Sequence, residues 1–469
     1  MDIRQILDDP ARAIAERWGS ADAPQAASAR IQIEALAQLK HQLKEIQQQK
    51  QQCAREFGTA KRNGESLEPL KARMQQISTE IERIEQTQKQ EQQTLLNLFV
   101  DETAQHDALE PALPQRFLRQ PEHLCGPISI SAVDTPAADA WDRYVDAHPN
   151  ASLYHRYLWR DLIERSFGQQ GFYLAARDGT GAIRGVLPLV RLRSRLFGDF
   201  NVSMPYFNYG GALADNSEIA TQLLDHAAAL TRTNGQHHLE VRGIQRFNDW
   251  PLRTDKVSMI LPLPADIETL ETSLGSKLRA QINRARRESP TTHCGGLELL
   301  DDFYRVFARN MRDLGTPVYS RHFFANILKA LPQQAHLIVI RLAGRAVAAA
   351  FLLGDRDLLE IPWASTLREV NALSMNMLLY REVLSFAIDR GYPFFDFGRS
   401  TQGAGTYRFK RQWGAQPLQH YWHYALPEGE QLPELKPDSP KFRLLVHCWQ
   451  RLPLFIANHL GPLIVRNLP

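Results

Sequence analysis

Two heptad seams in the first hundred residues constrain this chain more than any other feature of it. Leu36, Leu39, Leu43, Ile46, Lys50, Cys53 and Phe57 advance by alternating steps of three and four, and Leu67, Leu70, Met74, Ile77, Ile81 and Ile84 do the same. A helix with that spacing carries one apolar stripe, and the stripe needs a partner. Between the seams GTAKRNGES supplies Gly58, Gly64 and a helix-starting Ser66, so the chain should turn there and run back antiparallel. The surrounding composition, rich in Gln, Glu, Lys and Ala, is that of a coiled coil. The expected product is a helical hairpin whose first helix, over residues 30–57, spans about 42 Å and projects as an arm.

A chain of 469 residues is too long for one core and predicts about three units. After a Pro-containing connector the body alternates strand-like and helix-like segments. GFYLAARDGTGAIRGVLPLVRLRS reads as strand, Gly-rich turn, strand, and is followed by the helix EIATQLLDHAAALTRTNG and the strand HHLEVRG. The order recurs in AHLIVIRLAGRAVAAAFLLGDRD, MLLYREVLSFAIDRG and FFDFGRS, with Gly179 matched to Gly344 and Gly235 to Gly391, which points to a duplicated α/β unit. The expected division is a coiled-coil arm over 1–105, a linker over 106–127, α/β units over 128–265 and 266–427, and a basic, apolar tail over 428–469.

The net charge of +3 gives no global basic field, so any nucleic-acid contact must be local. The four cysteines are far apart and form no CxxC or Cys/His metal spacing; they read as reduced cytoplasmic thiols, with no metal or redox cofactor. The opening MDIRQILDDP has no signal-peptide pattern and no stretch reaches 18 apolar residues, so the expected location is the cytoplasm, with contact at the inner face of the membrane through the tail as an option.

Phosphate-loop, dinucleotide, zinc-protease and serine-hydrolase motifs are missing, which leaves chemistry that leans on an activated substrate. Group transfer from a thioester or an aminoacyl ester fits, because the protein then needs mainly to position an amine and stabilise an oxyanion. The segment FFDFGRSTQGAGTYRFKRQWGAQP joins a strand and a Gly-rich loop to Tyr407, Phe409 and Lys410; Lys410 or Arg399 can face developing negative charge. Glu360 and Asp396 are candidate bases for the incoming amine, and Trp363, on the same strand-like segment as Glu360, is a candidate for lining the substrate pocket. Tyr206, Asn208 and Tyr209, just before two glycines, are candidates for an acceptor pocket. Lys277, Arg279, Arg284, Arg286 and Arg287 crowd one predicted helix and suit phosphate contact, or simply form a solvated face.

Residues 1–100 resemble the N-terminal tRNA-binding arm of seryl-tRNA synthetases, in the opening MDIRQILDDPARAIAERW, the long heptad helix, the turn FGTAKRNGES and a returning helix ending near LLNLF. No synthetase catalytic domain follows. The resemblance implies recognition of serine tRNA, with Lys61 and Arg62 at the tip. From about 128 to 426 the chain resembles the Fem-type aminoacyltransferases, and more closely the FemAB-like proteins of exopolysaccharide systems, through SKLRAQINRARRE, GTPVYSRHFF, FDFGRS and GTYRFKRQWGA. That family carries tandem acyltransferase (GNAT) folds, so the resemblance implies an α/β body of two GNAT-like domains. Its Phe-Lys pair at the transfer centre corresponds to Phe409 and Lys410, the Lys stabilising the tetrahedral intermediate.

Together the two resemblances imply transfer of serine from seryl-tRNA, as co-substrate, to an acceptor amine of a small molecule or envelope precursor. An acyl-CoA N-acyltransferase acting on an exopolysaccharide sugar and a noncatalytic tRNA-binding protein are the alternatives. The tail from Lys441 to Pro469 has no acid and punctuates Leu, Phe, Trp and Ile with arginines. It either lies on an anionic membrane surface or packs against the second unit.

Overall fold

The computed structural model describes residues 7, 9–11, 14, 24–63, 66–99, 114, 126–194, 198–433 and 440–468. The chain divides into two compact units, 1–109 and 110–469; most of the expected linker lies outside the described residues. In the first unit α1 (Pro24–Asn63) and α2 (Glu68–Phe99) pack side by side as a hairpin. Every position of the predicted first seam is buried or half-buried, while most positions between are exposed. Leu36, Cys53, Ile77 and Ile84 are the most enclosed of the two seams. Cys53 Sγ lies 3.8 Å from the Leu70 carbonyl and Arg73 bridges to Glu56 at 3.3 Å, which fixes the register. The helix runs further than its seam: α1 continues through Gly58 to Asn63, about 60 Å in all. Lys61 and Arg62 therefore belong to the last turn of α1, and their side chains lie outside the described residues.

The second unit contains two sheets. In chain order its elements are β1 (Ser129–Ala132), α3 (Ala138–Ala147), α4 (Leu158–Phe167), β2 (Gln170–Arg177), β3 (Ile183–Ser194), β4 (Gly198–Val202), β5 (Leu213–Ala214), α5 (Ser217–Thr233), β6 (Leu239–Gly243) and β7 (Leu252–Arg253). Next come β8 (Lys256–Pro262), α6 (Ile267–Ser273), α7 (Ser276–Arg287), β9 (Thr291–Gly295), α8 (Leu300–Leu314), α9 (Arg321–Ala330), β10 (Ala335–Leu342), β11 (Arg345–Asp355) and β12 (Leu358–Thr366). The chain ends with α10 (Met375–Asp389), β13 (Phe394–Thr401), α11 (Gly405–Arg411), β14 (Gln416–Gln419), β15 (Tyr421–Ala425), α12 (Pro440–Gln450) and α13 (Leu454–Val465).

The first sheet has the order β1-β2-β3-β4-β6-β15-β7, with β5 on β3, and the second β14-β8-β13-β12-β11-β10-β9. Each contains one parallel pair, β4 with β6 and β12 with β13, and each parallel pair is joined by a crossover helix, α5 or α10. That shared plan is the duplication read from the sequence. Gly235 and Gly391 both close their crossover helices with φ near +70° (71° and 75°), where a side chain would be strained. In the strand-strand turns the matching is shifted: Gly344 is left-handed, but its counterpart is Gly181 rather than Gly179. Asp178 Oδ1 accepts from the N–H groups of Thr180 and Ala182 and sets that turn.

The expected boundaries at 265 and 427 are not where the sheets divide. Strand β8, before 265, is internal to the second sheet, and β15, before 427, inserts between β6 and β7 of the first. Hydrogen bonding decides this: β6 has an open edge beyond β4, and β15 fills it over Tyr421–Ala425. The tail packs onto the body. Arg312 donates to the Leu452 carbonyl at 2.9 Å, Val446 covers Gly315, and Gly461 sits against Val318 so closely that a Cβ would lie 2.8 Å from its backbone nitrogen.

Candidate active site

Strands β12 and β13 pair only through Leu358↔Phe394, Leu359↔Phe395 and Glu360↔Asp396, and then separate. Their separation opens a notch with two carboxyl groups at its base. On the far side β13 kinks: its register against β8 shifts between Asp396 and Arg399, and Gly398 has φ 76°. A Cβ on Gly398 would sit 3.4 Å from the Ile361 carbonyl, so glycine serves both the left-handed backbone and the close approach.

The loop after β13 feeds α11, whose buried residue is Lys410. Lys410 Nζ donates to the carbonyls of Gly398 at 2.8 Å and Arg399 at 2.9 Å, leaving one of its three N–H groups for another acceptor. Asp396 Oδ1 accepts from the Gly398 N–H at 2.7 Å. Glu360 accepts from Tyr154 Oη on one oxygen and from Asn208 Nδ2 at 2.5 Å on the other. Burial lifts both carboxyl groups above the usual carboxylate range, and the Asp396 charge lifts Glu360 further. Burial pulls Lys410 down to about 8 against the attraction of the two carboxylates. Two like charges this close titrate as a pair, so near neutral pH the couple holds one proton and one negative charge beside a cation. A donor, an acceptor and a cation are thus gathered at one point.

Tyr154 has no sequence signal that would assign it here, because its partner is 206 residues away. It sits in a short turn, Leu153–His155, whose carbonyls are held by Trp159 Nε1 on Leu153 at 2.7 Å and Trp141 Nε1 on His155 at 2.6 Å. The Ser152 N–H donates to His155 Nδ1 at 3.0 Å, and burial lowers His155 to about 3, so it is neutral. Asn208 and Tyr209 come from a segment with left-handed non-glycine backbone at Met204 (φ 43°) and Tyr206 (φ 74°). Such conformations cost of order 1–3 kcal/mol each and persist where the surroundings over-determine them. Here the restraint on Tyr206 is its hydroxyl, which donates to the Arg466 carbonyl at 2.7 Å. Tyr209 stands edge-on to Tyr154 at 5.6 Å. A shallow cleft lined by Ser152, His155, Tyr209, Gly211 and Phe247 shares Ser152 and Tyr209 with a smaller recess that reaches Tyr154 and Glu360.

The remaining predicted residues divide. Arg399 stacks on Trp422 at 5.1 Å with an exposed side chain and no carboxylate partner among the described residues; Arg242 stacks on Trp422 as well, at 4.4 Å, but is neutralised by Glu240 at 2.6 Å. Trp363 is a core residue, packed edge-on against Phe323, Phe324 and Phe351, so its expected place in the pocket is not realised. Phe409 packs on Tyr380 at 5.0 Å, and both Phe409 and Tyr407 lie against the core cluster, so both hold α11 in place. On α7, Lys277 is exposed and has no ion pair among the described residues. Arg279 donates to the carbonyls of Thr272 and Leu274, Arg284 to Ala372 and Arg287 to Asn283, while Arg286 is offset by Glu271 at 2.7 Å. Structural bonds therefore occupy four of these five cations.

Residues 1–100 match the family model of the seryl-tRNA synthetase N-terminal domain, and residues 276–411 match that of the acetyltransferase (GNAT) domain. The chain thus carries a stretch similar to the seryl-tRNA synthetase N-terminal domain followed by one similar to the GNAT acetyltransferase domain. The GNAT match ends at Arg411 and so takes in Glu360, Asp396 and Lys410. Among solved structures the chain is similar to FemX, at 14% identity over 63% of this chain and 96% of that one, TM-score 0.47. A second is the C-terminal domain (DUF2156) of a putative lysylphosphatidylglycerol synthetase from Agrobacterium fabrum, at 13% identity, 63% and 92% coverage, TM-score 0.43. A third is a tandem GNAT protein from the clavulanic acid biosynthesis pathway, at 11% identity, 65% and 100% coverage, TM-score 0.41. No curated protein matches the sequence.

Proposed function

We propose that this protein transfers an amino acid, serine, from aminoacyl-tRNA to an acceptor amine. The observation that carries the reading is the union in one chain of a seryl-tRNA synthetase-type N-terminal domain with a GNAT-type unit whose notch holds Lys410 beside two carboxyl groups. The acceptor nitrogen attacks the seryl ester carbonyl, the carbonyl oxygen takes up negative charge, and the carbon–oxygen bond to the terminal ribose breaks. The amine loses a proton to the Glu360–Asp396 couple, and the ribose hydroxyl receives one as it leaves. The free N–H of Lys410 faces the oxyanion, and no external cofactor enters the balance. Lys61, Arg62 and Lys277 are the cations we assign to tRNA phosphates.

The test exploits the product: an amide survives mild base, whereas the seryl ester does not. Ser-tRNA carrying labelled serine, incubated with the protein and pools of small amines or envelope precursors, should give base-stable label whose mass identifies the acceptor. The GNAT match favours a second reading, an acyl-CoA donor. Thiol release from acetyl-CoA with the same amine pools, together with no base-stable label from Ser-tRNA, would establish that one instead.

A further inference from the structure

The last helix of the chain is apolar on both sides, and only one side is covered. In α13, Ala457, Gly461 and Val465 recur every four residues and face the body: Ala457 is fully enclosed and Gly461 abuts Val318. Phe455, His459 and Leu463 follow the opposite stripe, with Leu460 beside it. Phe455 is 74% exposed and Leu463 54%. Leu445 on α12 is 67% exposed, and Leu314, next to the Gly315 that Val446 covers, is 54% exposed. Half of the large apolar side chains exposed among the described residues thus belong to a 29-residue tail. A helix that is apolar all round is normally enclosed, so this face has an occupant.

We propose that this face of α12 and α13 lies on an anionic lipid surface. The charge pattern selects that occupant. From Lys441 to Pro469 the sequence has no Asp or Glu, and Lys441, Arg443, Arg451 and Arg466 accompany the apolar residues; Arg451 is exposed. Docking onto a second copy would bring the exposed Arg451 and an acid-free segment against their own counterparts, with no carboxylate in the tail to offset the charge. Anionic headgroups accept the basic side chains while Phe and Leu enter the acyl boundary, as in interfacial helices. The tail does not cross the bilayer: among the described residues no helix is long and apolar enough, and the 12 residues of α13 span about 18 Å against about 30 Å of hydrocarbon. This inference goes beyond the transfer reaction and does not depend on it.

The experiment is flotation of the full-length protein with vesicles of phosphatidylcholine alone or mixed equally with phosphatidylglycerol, at low and high salt. The parent should float with the anionic vesicles at low salt and much less with the neutral ones. Phe455→Ser combined with Leu463→Ser should lower partitioning about tenfold, and Arg451→Gln about fivefold. Leu445→Ser, remote from the inward stripe of α13, serves if the double variant melts early. The proposal fails if the parent stays unbound at low salt, or if the folded variants float as the parent does. It also fails if light scattering shows the parent dimeric and unbound to vesicles while the double variant is monomeric, since the face then serves a second copy.

Discussion

Replacing Lys410 by Met removes the cation of the notch while nearly preserving its length. Two effects follow from the geometry and separate by assay. The first is structural: the carbonyls of Gly398 and Arg399 lose their donor, a buried loss worth about 1–3 kcal/mol that a thermal melt reads directly. The second is kinetic. With two N–H groups occupied, one donor remains for the oxyanion, and removing one such donor costs about 3 kcal/mol, or about a hundredfold in single-turnover rate with saturating donor. The pH profile adds a second readout beside the rate. Since Lys410 titrates at about 8, the ammonium falls from about nine-tenths protonated at pH 7 to about one-tenth at pH 9. The parent rate should turn over on the alkaline side near that value, where the carboxyl couple also loses its proton, and the variant should show a shallower fall. A folded Lys410→Met protein within threefold of the parent would refute the assignment.

Glu360→Gln should shift stability with a definite sign. The folded-state pKa of Glu360 lies above its unfolded value, so its contribution is fully present below the unfolded pKa, near 4.5, and is lost as pH rises through the folded one; denaturation midpoints of the variant should gain on the parent at pH 9 relative to pH 5. Glu240→Gln leaves the Arg242 guanidinium, 2% exposed, without its counter-charge and should cost about 3–5 kcal/mol in urea unfolding; a loss under 1 kcal/mol would mean that Trp422 stacking suffices. Deleting residues 1–105 should raise the donor KM for Ser-tRNA about tenfold or more while sparing transfer to the same amine from a small seryl ester. Equal rates at sub-saturating Ser-tRNA would remove the hairpin from donor recognition.

The parts of this fold legible in the sequence are those set by short-range periodicity. The heptads of α1 and α2 place their buried positions residue by residue, and the repeated strand-turn-strand and helix-glycine-strand order foretells both sheets. What escaped depends on pairing across long separations. Nothing local marks β15 as a strand of the first sheet, and Tyr154 reaches Glu360 only because the two halves face each other across the notch. Glu360, Asp396 and Lys410 were nameable from residue type beside a strand and a Gly-rich loop; the split between β12 and β13 that gathers them was not. Trp363 went the other way: a strand residue of alternating pattern faces either the pocket or the core, and the phenylalanines of α9 and β11 claimed it.

The insertion of β15 has a consequence for how the chain is made. The outer edge of β6 ends at Gly243, but the strand that covers it begins only at Tyr421. During synthesis at about 5–20 residues per second, the first sheet would wait roughly ten to forty seconds with an unpaired, apolar-flanked edge. A ribosome that stalls between the two halves leaves a template for aggregation rather than a finished domain. Duplication of an ancestral unit followed by this exchange would have tied the first half to the second: the second sheet is complete within residues 256–419, but the first cannot be cut out or expressed without the end of the second half and still keep β15.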